Sequence, residues 1–299
     1  VLLAEVLLAY YHQHVKALPS GRRVKSSMGH ITAFFEGKTV KEACHPGQID
    51  EFVKAMLAKG FARTYVNNLL GIIKAATTRA WKRGELASVQ FIELIEAQSK
   101  KPKGDPLKPA QIASLLAVAN RQTTIAIMLM LGTGCRPSTA YEYAWEGTDF
   151  EADLMDLNPP GRVQTAKYRP IVKMPPGLKA FLMQFNYREG VIIQRANRPI
   201  RRWETAWRNA RKKAGLGNRC NPYSIRHTVA RYLRASGVPK WEIENQLGHS
   251  QLSTTDIYAP HAPDYLEKAC AAIEKLMQEV AACQMRSTPE IKPLKRLAN

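Results

Sequence analysis

The chain has little cysteine, a deficit of acid and no long apolar run, and each shortage removes a class of function. Its five cysteines, Cys44, Cys135, Cys220, Cys270 and Cys283, are odd in number, scattered over 299 residues and free of any C-x-x-C pair. Such spacing argues against a disulfide framework or a thiolate zinc site, so a reducing cytoplasm, no metal and no cofactor are expected. No apolar stretch approaches the roughly 18 residues of a membrane span. A soluble protein follows. The opening "VLLAEVLLAYY" carries Glu5, lacks a basic leader and repeats its apolar residues at helical spacing, so it reads as a core helix and not as a signal peptide. Because the chain opens on Val1, a preceding segment stays open.

Familiar catalytic signatures are missing as well. "GTGCRPS" at 132–138 has a glycine pair but neither the Gly-Lys-Ser/Thr ending of a phosphate-binding loop nor the third glycine of a dinucleotide fingerprint. There is no H-E-x-x-H pair and no G-x-S-x-G elbow, which leaves zinc protease and serine hydrolase readings without support.

What is present in excess is positive charge: 44 Lys and Arg against 25 Asp and Glu, a net +19. A charge of that size attracts a polyanion along a whole face, and nucleic acid is the leading partner. The excess lies on both sides of "AQSKKPKGDPLKP" at 97–109, where Lys, Pro, Gly and Asp interrupt the periodic pattern. Residues 1–104 hold 16 basic against 8 acidic side chains, and residues 105–299 hold 28 against 17. Two domains, 1–104 and 105–299, joined by a basic linker would suit a clamp on duplex DNA.

The first half reads as four helices, 2–17, 22–36, 47–58 and 62–83. In the last, Tyr65, Leu69, Ile72, Ile73, Ala76 and Ala80 form the expected buried stripe, which leaves Arg63, Lys74, Arg79, Lys82 and Arg83 outside. The first four of those cations are candidate DNA contacts. In the second half two apolar helices, 108–120 and 122–134, precede a change of character at 153–175, where Pro-Pro-Gly and short apolar runs predict a small antiparallel strand insertion. Helices are expected near 178–187, 203–214, 224–236, 239–247 and 263–283. Residues 195–213 hold eight Lys or Arg and one acid, and Arg202, Arg208, Arg211 and Lys212 of this strip are assigned to DNA phosphates. Trp145, Trp203 and Trp207 are read as core anchors, and His227 as a locally packed residue.

The remaining pattern is chemical. Arg136 follows a tight Gly turn, Arg226 sits in "NPYSIRHTVARYLRASG", His249 follows Gly248, and Tyr258 lies nine residues on in "LGHSQLSTTDIYAP". Ile225, Val229, Tyr232 and Leu233 mark a buried stripe, and Tyr223 and Arg226, three apart, share the neighbouring helix face. Two arginines suit one phosphate, because each guanidinium offers a planar fork of permanent charge to two oxygens.

"TGCRPS", "YSIRHTVA", "LGHS" and "TTDIYA", in that order, resemble the tyrosine recombinases, or phage-type integrases, and "ARTYVNNLLGIIKAATTRAWKRGEL" looks like the core-binding domain of such enzymes. The resemblance implies a mostly α fold with a small β insertion: a helical, SAM-like core-binding domain followed by an α+β catalytic domain. It implies cutting and rejoining of double-stranded DNA by Tyr258 through a 3′-phosphotyrosyl intermediate, without ATP or metal. Arg136, Arg226 and His249 would stabilise the pentacoordinate phosphate. Lys167 would protonate the leaving oxygen, although it departs by one position from the family's Thr-Lys pair, which is here Thr165-Ala166-Lys167; Lys173 is the weaker candidate.

Tyr223 occupies the place of a family histidine, and Thr139 that of an acid. These departures keep open a non-catalytic DNA-binding or accessory protein, and a type IB topoisomerase is a mechanistic relative. The likeness further implies a cytoplasmic, nucleoid-associated homotetramer on two DNA sites, coupled through exchange of the C-terminal helix and assisted by an accessory DNA-bending protein.

Overall fold

In the computed structural model the described residues are 1–96, 104–165, 167–186, 188–195, 198–200, 203–249 and 263–287. The chain divides into two compact units, Val1–Lys101 and Pro102–Asn299.

The first unit is all helical: α1 (Leu3–Gln13), α2 (Gly21–Phe34), α3 (Val40–Ala43), α4 (Pro46–Ala58) and α5 (Arg63–Lys82). The expected helix 2–17 stops at His14 and continues as a single 3₁₀ turn, Val15–Ala17. The short α3 was not anticipated from periodicity. Its cause is local: Thr39 accepts from the Glu42 N–H while the Glu42 carboxylate accepts from the Thr39 N–H at 2.8 Å, a reciprocal cap. Leu3, Leu7, Ile31, Phe35, Phe52, Met56, Leu69, Leu70 and Ile73 fill the core, each large aliphatic contributing about 1.5–3 kcal/mol by leaving water. On α5 the stripe is Val66, Leu69, Leu70, Ile73, Ala76, Thr77 and Ala80. Tyr65 and Ile72 sit at its half-buried edges, so the inward direction is rotated from the expected one. The Asn67 amide donates to the Ile95 carbonyl and accepts from its N–H, and Ile92 is buried, which pins the extended stretch after α5.

The second unit carries α6 (Pro109–Val118), α7 (Arg121–Thr133), α8 (Pro137–Glu142), strands β1 (Thr148–Asp149), β2 (Leu154–Asp156) and β3 (Ile171–Lys173), then α9 (Pro176–Met183). A hairpin of β4 (Gln194–Arg195) and β5 (Arg198–Pro199) precedes α10 (Glu204–Lys213), α11 (Pro222–Ala235), α12 (Lys240–Leu247) and α13 (Glu267–Ser287). The first three strands form an antiparallel sheet in chain order, with Met155 opposite both Thr148 and Val172. The expected architecture, mostly α with a small β insertion, holds.

Helix α7 is apolar on nearly every side and runs through the core with Ile125, Ile127, Leu129, Met130 and Leu131 buried. Gly104 packs in this unit at φ +84°, where a Cβ would lie 2.6 Å from the Ser224 hydroxyl. Trp145 and Trp207 are buried, and Trp203 stacks on Tyr141 at 5.0 Å. Helix α13 lies on its own unit: Leu266, just before it, and Ala269, Ile273, Leu276, Met277 and Val280 join the core, and Glu274 accepts from the Gly177 N–H at 2.7 Å. Among the described residues no helix is long and apolar enough to cross a membrane.

Candidate active site

Two helix ends and two helix starts create the site. Helix α7 stops at Gly134, whose left-handed φ of +68° closes a bond from its N–H to the Met130 carbonyl. A side chain here would put Cβ 2.8 Å from Leu247 Cδ2, so both the turn and the packing require glycine. Two residues on, Arg136 is the N-cap of α8, with Pro137 at the first helical position. Helix α11 begins with the Asn221 side chain accepting from the Tyr223 N–H at 3.0 Å. It buries Ile225, Val229 and Leu233 completely and leaves Arg226 beside them at 7% exposure. Helix α12 ends at Gly248, also left-handed, and His249 N–H returns to the Glu244 carbonyl at 2.8 Å.

Carbonyls at helix C-termini have no intrahelical donor and carry the negative end of the helix dipole, so they attract cations. Arg226 answers two of them: it donates to the Gly134 carbonyl at 2.9 Å and to the Leu247 carbonyl at 2.7 Å, ending α7 and α12 together. Its Nη2 also lies 3.0 Å from His249 Nε2. Arg136 donates to the Gly248 carbonyl at 3.2 Å and to the Tyr168 carbonyl at 2.9 Å. Arg136, Arg226 and His249 are thus brought into one cluster, and Tyr223 is near enough to act electrostatically on both arginines.

Burial, and then the repulsion of Arg136, brings Arg226 down to about 10, which still leaves it charged at neutral pH. Burial likewise lowers Arg136. His249 is held below its usual value by burial and then by the two arginines, so its imidazole is neutral near pH 7. Desolvation raises the fully enclosed Cys135 thiol, which makes it a packing group.

Lys167 is exposed in the connection between β2 and β3, outside the paired strand residues, and its N–H donates to the Thr165 hydroxyl at 3.2 Å. It adjoins Tyr168, the carbonyl partner of Arg136. Lys173, in β3, forms an ion pair with Glu267 at the start of α13. Tyr258 and Arg202 lie outside the described residues.

The remaining expected DNA contacts fall into two sets. Lys74, Arg79 and Lys82 line a groove of about 590 Å³ with Tyr10, His14 and Arg83, while Arg63 lies at the opposite end of α5 and donates to the Glu96 carbonyl. On α10, Arg208 and Lys212 are exposed, and Arg211 is half-buried with a bond to the Asn218 carbonyl at 3.3 Å. His227 is half-buried.

Sequence reasoning missed Arg169, Glu142 and Gln246. Arg169 is 7% exposed and pairs with Glu142 at 2.5 Å. Gln246, 1% exposed, donates to the Thr133 carbonyl at 2.8 Å. Neither arginine pairing nor backbone acceptors leave a periodic mark in a sequence.

Residues 106–264 match the model of the phage integrase family. The chain is 28% identical over 226 residues to the tyrosine recombinase XerA of Thermococcus onnurineus, covering 71% of this chain and 78% of that protein. A tyrosine recombinase of Pseudothermotoga lettingae is 40% identical over a shorter 78 residues, about a quarter of each chain. Among solved structures, the Tn1549 transposon integrase bound to transposon right-end DNA superposes with a TM-score of 0.67 at 18% identity, covering 93% of this chain and all of that one. A lambda integrase tetramer bound to a Holliday junction superposes with a TM-score of 0.62 at 16% identity, covering 86% and 77%.

Proposed function

The chain belongs to the phage integrase family and is a tyrosine-type site-specific DNA recombinase, and on that premise we propose that Tyr258 is its nucleophile and Arg136, Arg226 and His249 its phosphate-binding set. The Tyr258 oxygen attacks a scissile phosphorus of double-stranded DNA. A Tyr–O–P bond forms to the 3′ phosphate as the P–O5′ bond breaks, and the phenolic proton passes to a base while the 5′ oxygen takes a proton from an acid. The intermediate keeps the bond energy, so a 5′-hydroxyl from another strand reverses the step without ATP or metal.

The observation that carries this reading is the convergence of Arg136 and Arg226 with neutral His249 at two helix ends. Charge that grows on the non-bridging oxygens is best stabilised by donors held in place beforehand. The carbonyls that grip one edge of each guanidinium supply that hold and leave other N–H groups for phosphate. Lys167 is the proposed acid, being an exposed ammonium next to the segment that Arg136 touches. Lys173 is the weaker choice because Glu267 engages it. Tyr223 hydrogen-bonds phosphate or water and is a poor base near pH 7.

In this reading the domain that covers residues 1–104 is the core-binding part and the remainder is catalytic. Arg63, Lys74, Arg79, Lys82, Arg202, Arg208, Arg211 and Lys212 meet DNA phosphates. The active assembly is a tetramer on two sites, assisted by an accessory DNA-bending protein, in the cytoplasm with the nucleoid. Coupling between protomers runs through exchange of the C-terminal helix.

The test is a denaturing gel of wild type and Tyr258→Phe incubated with a nicked suicide duplex from the native locus. A covalent adduct in wild type alone is the expected result. No adduct on DNA that the protein binds would favour the non-catalytic reading. An adduct with relaxation of supercoils but no exchange between two sites would favour a topoisomerase.

A further inference from the structure

Arg169 is a costly residue to bury. It lies at 7% exposure in a unit that already encloses Arg226 and half-encloses Arg136, and its charge acts unfavourably on Arg136. A surface ion pair to Glu142 would need no such burial, and one of its terminal nitrogens, Nη1, is enclosed without a hydrogen-bond partner among the described residues. An arrangement of this kind calls for a reason other than stability.

The reason lies in what the segment Tyr168–Pro170 touches. Tyr168 offers its carbonyl to Arg136, the N-cap of α8. Arg169 pairs with Glu142, the last residue of the same helix. Gln164 grips Arg169 from the other side, accepting from its N–H at 3.2 Å and donating to its carbonyl at 2.8 Å. Gly248 packs so closely that a Cβ there would meet the Tyr168 carbonyl at 2.6 Å and Pro170 Cδ at 2.8 Å. The segment is therefore fixed to both ends of α8 and to the end of α12.

We propose that Arg169 and Glu142 are a pair of positioning residues, a latch that holds the Tyr168 carbonyl in place and thereby aims Arg136 at the scissile phosphate. The inference rests on the assignment of Arg136 to phosphate. Arg169 itself touches no reacting atom. Glu142, six residues after Arg136 and largely exposed on its side chain, supplies the acid that the sequence lacks at Thr139, and it acts through Arg169.

The test uses the full chain with Glu142→Gln, Arg169→Lys and the double variant. Single-turnover cleavage is measured on a suicide duplex with either a phosphate or a neutral methylphosphonate at the scissile position. Glu142→Gln should melt and bind DNA as wild type does, yet cleave the phosphate about tenfold more slowly, as expected for a small misplacement. The double variant should be no worse than the poorer single one, since both remove the same contact. On methylphosphonate, where one charged oxygen is gone, the penalty should shrink to less than about twofold.

Wild-type rates in Glu142→Gln, or an equal penalty on both substrates, would overturn the latch. A second readout does not depend on cleavage: the guanidinium resonances of Arg136 should exchange faster in Glu142→Gln than in wild type. Unchanged exchange would overturn the latch even if wild type forms an adduct, while absence of an adduct together with faster exchange would sink only the nucleophile assignment.

Discussion

Arg226 places Nη2 3.0 Å from Nε2 of His249. A guanidinium has donors and no acceptor, so the imidazole nitrogen that faces it carries the lone pair and the proton sits on Nδ1. His249 is then neutral, with one N–H left to offer.

The first prediction concerns that proton. Nitrogen-detected NMR should show His249 as the Nδ1–H tautomer, titrating below its ordinary value of 6.5. The unfolded chain takes up a proton first as the pH falls, so the stability tied to neutral His249 is present above about 6.5 and lost below it. A midpoint above 6.5 would contradict the assignment.

Arg226→Lys should be far from conservative. A lysine keeps the charge but has no planar fork with which to serve the Gly134 and Leu247 carbonyls and His249 together. Adduct formation should fall by about a hundredfold or more with little change in DNA affinity. A variant within about threefold of wild type would remove Arg226 from its proposed place, since one lost donor of this kind ordinarily costs far more.

Gly248→Ala and Gly237→Ala form a matched pair. Both glycines are left-handed, at φ +63° and +75°, but Gly237 has open space around it whereas Gly248 abuts Tyr168 and Pro170. Each alanine should cost about 1–2 kcal/mol for the backbone, and Gly248→Ala a further 1–3 kcal/mol or so for the collision. Urea denaturation of the two variants gives the difference directly, and equal midpoints would contradict it.

Glu242 is 1% exposed and accepts from the Ala269 N–H at 2.7 Å in the first turn of α13. Glu242→Ala leaves that N–H buried and unanswered, which should cost about 1–3 kcal/mol. Hydrogen exchange should show the loss first at Ala269 and its neighbours, and uniform protection along α13 would argue against it.

Removal of Lys74, Arg79 and Lys82 together should flatten the salt dependence of DNA binding. Each lost phosphate contact reduces the slope of log K against log salt by about 0.9. Anisotropy titrations over a range of salt concentrations would read it, and an unchanged slope would show that the groove is solvated only.

Much of this molecule could be read before its shape was known, and the exceptions have physical causes. Helices such as α5 and α11 announce themselves because apolar residues every three or four positions leave a mark that single substitutions do not erase. Helix α8 leaves none, since "PSTAYE" makes less than two turns and its start depends on Arg136 and Pro137. Strands β4 and β5 have two residues each and no room for alternation. Arg136, Arg226 and His249 could be chosen from their neighbours in sequence, whereas Arg169 is one cation among many until the fold buries it. The acceptors that orient the arginines are carbonyls, which every residue has, so nothing in the letters distinguishes Tyr168 or Leu247.

The carbonyl grip on the two arginines also bears on temperature. A long flexible side chain that must be ordered by its ligand loses about 2 kcal/mol of rotamer freedom at the moment of binding, but Arg136 and Arg226 surrender that freedom when the chain folds. Phosphate recognition should therefore carry a small ordering entropy and hold its strength on warming until the ends of α7 and α12 begin to fray, when the two guanidinium groups would be released together and recognition would end abruptly.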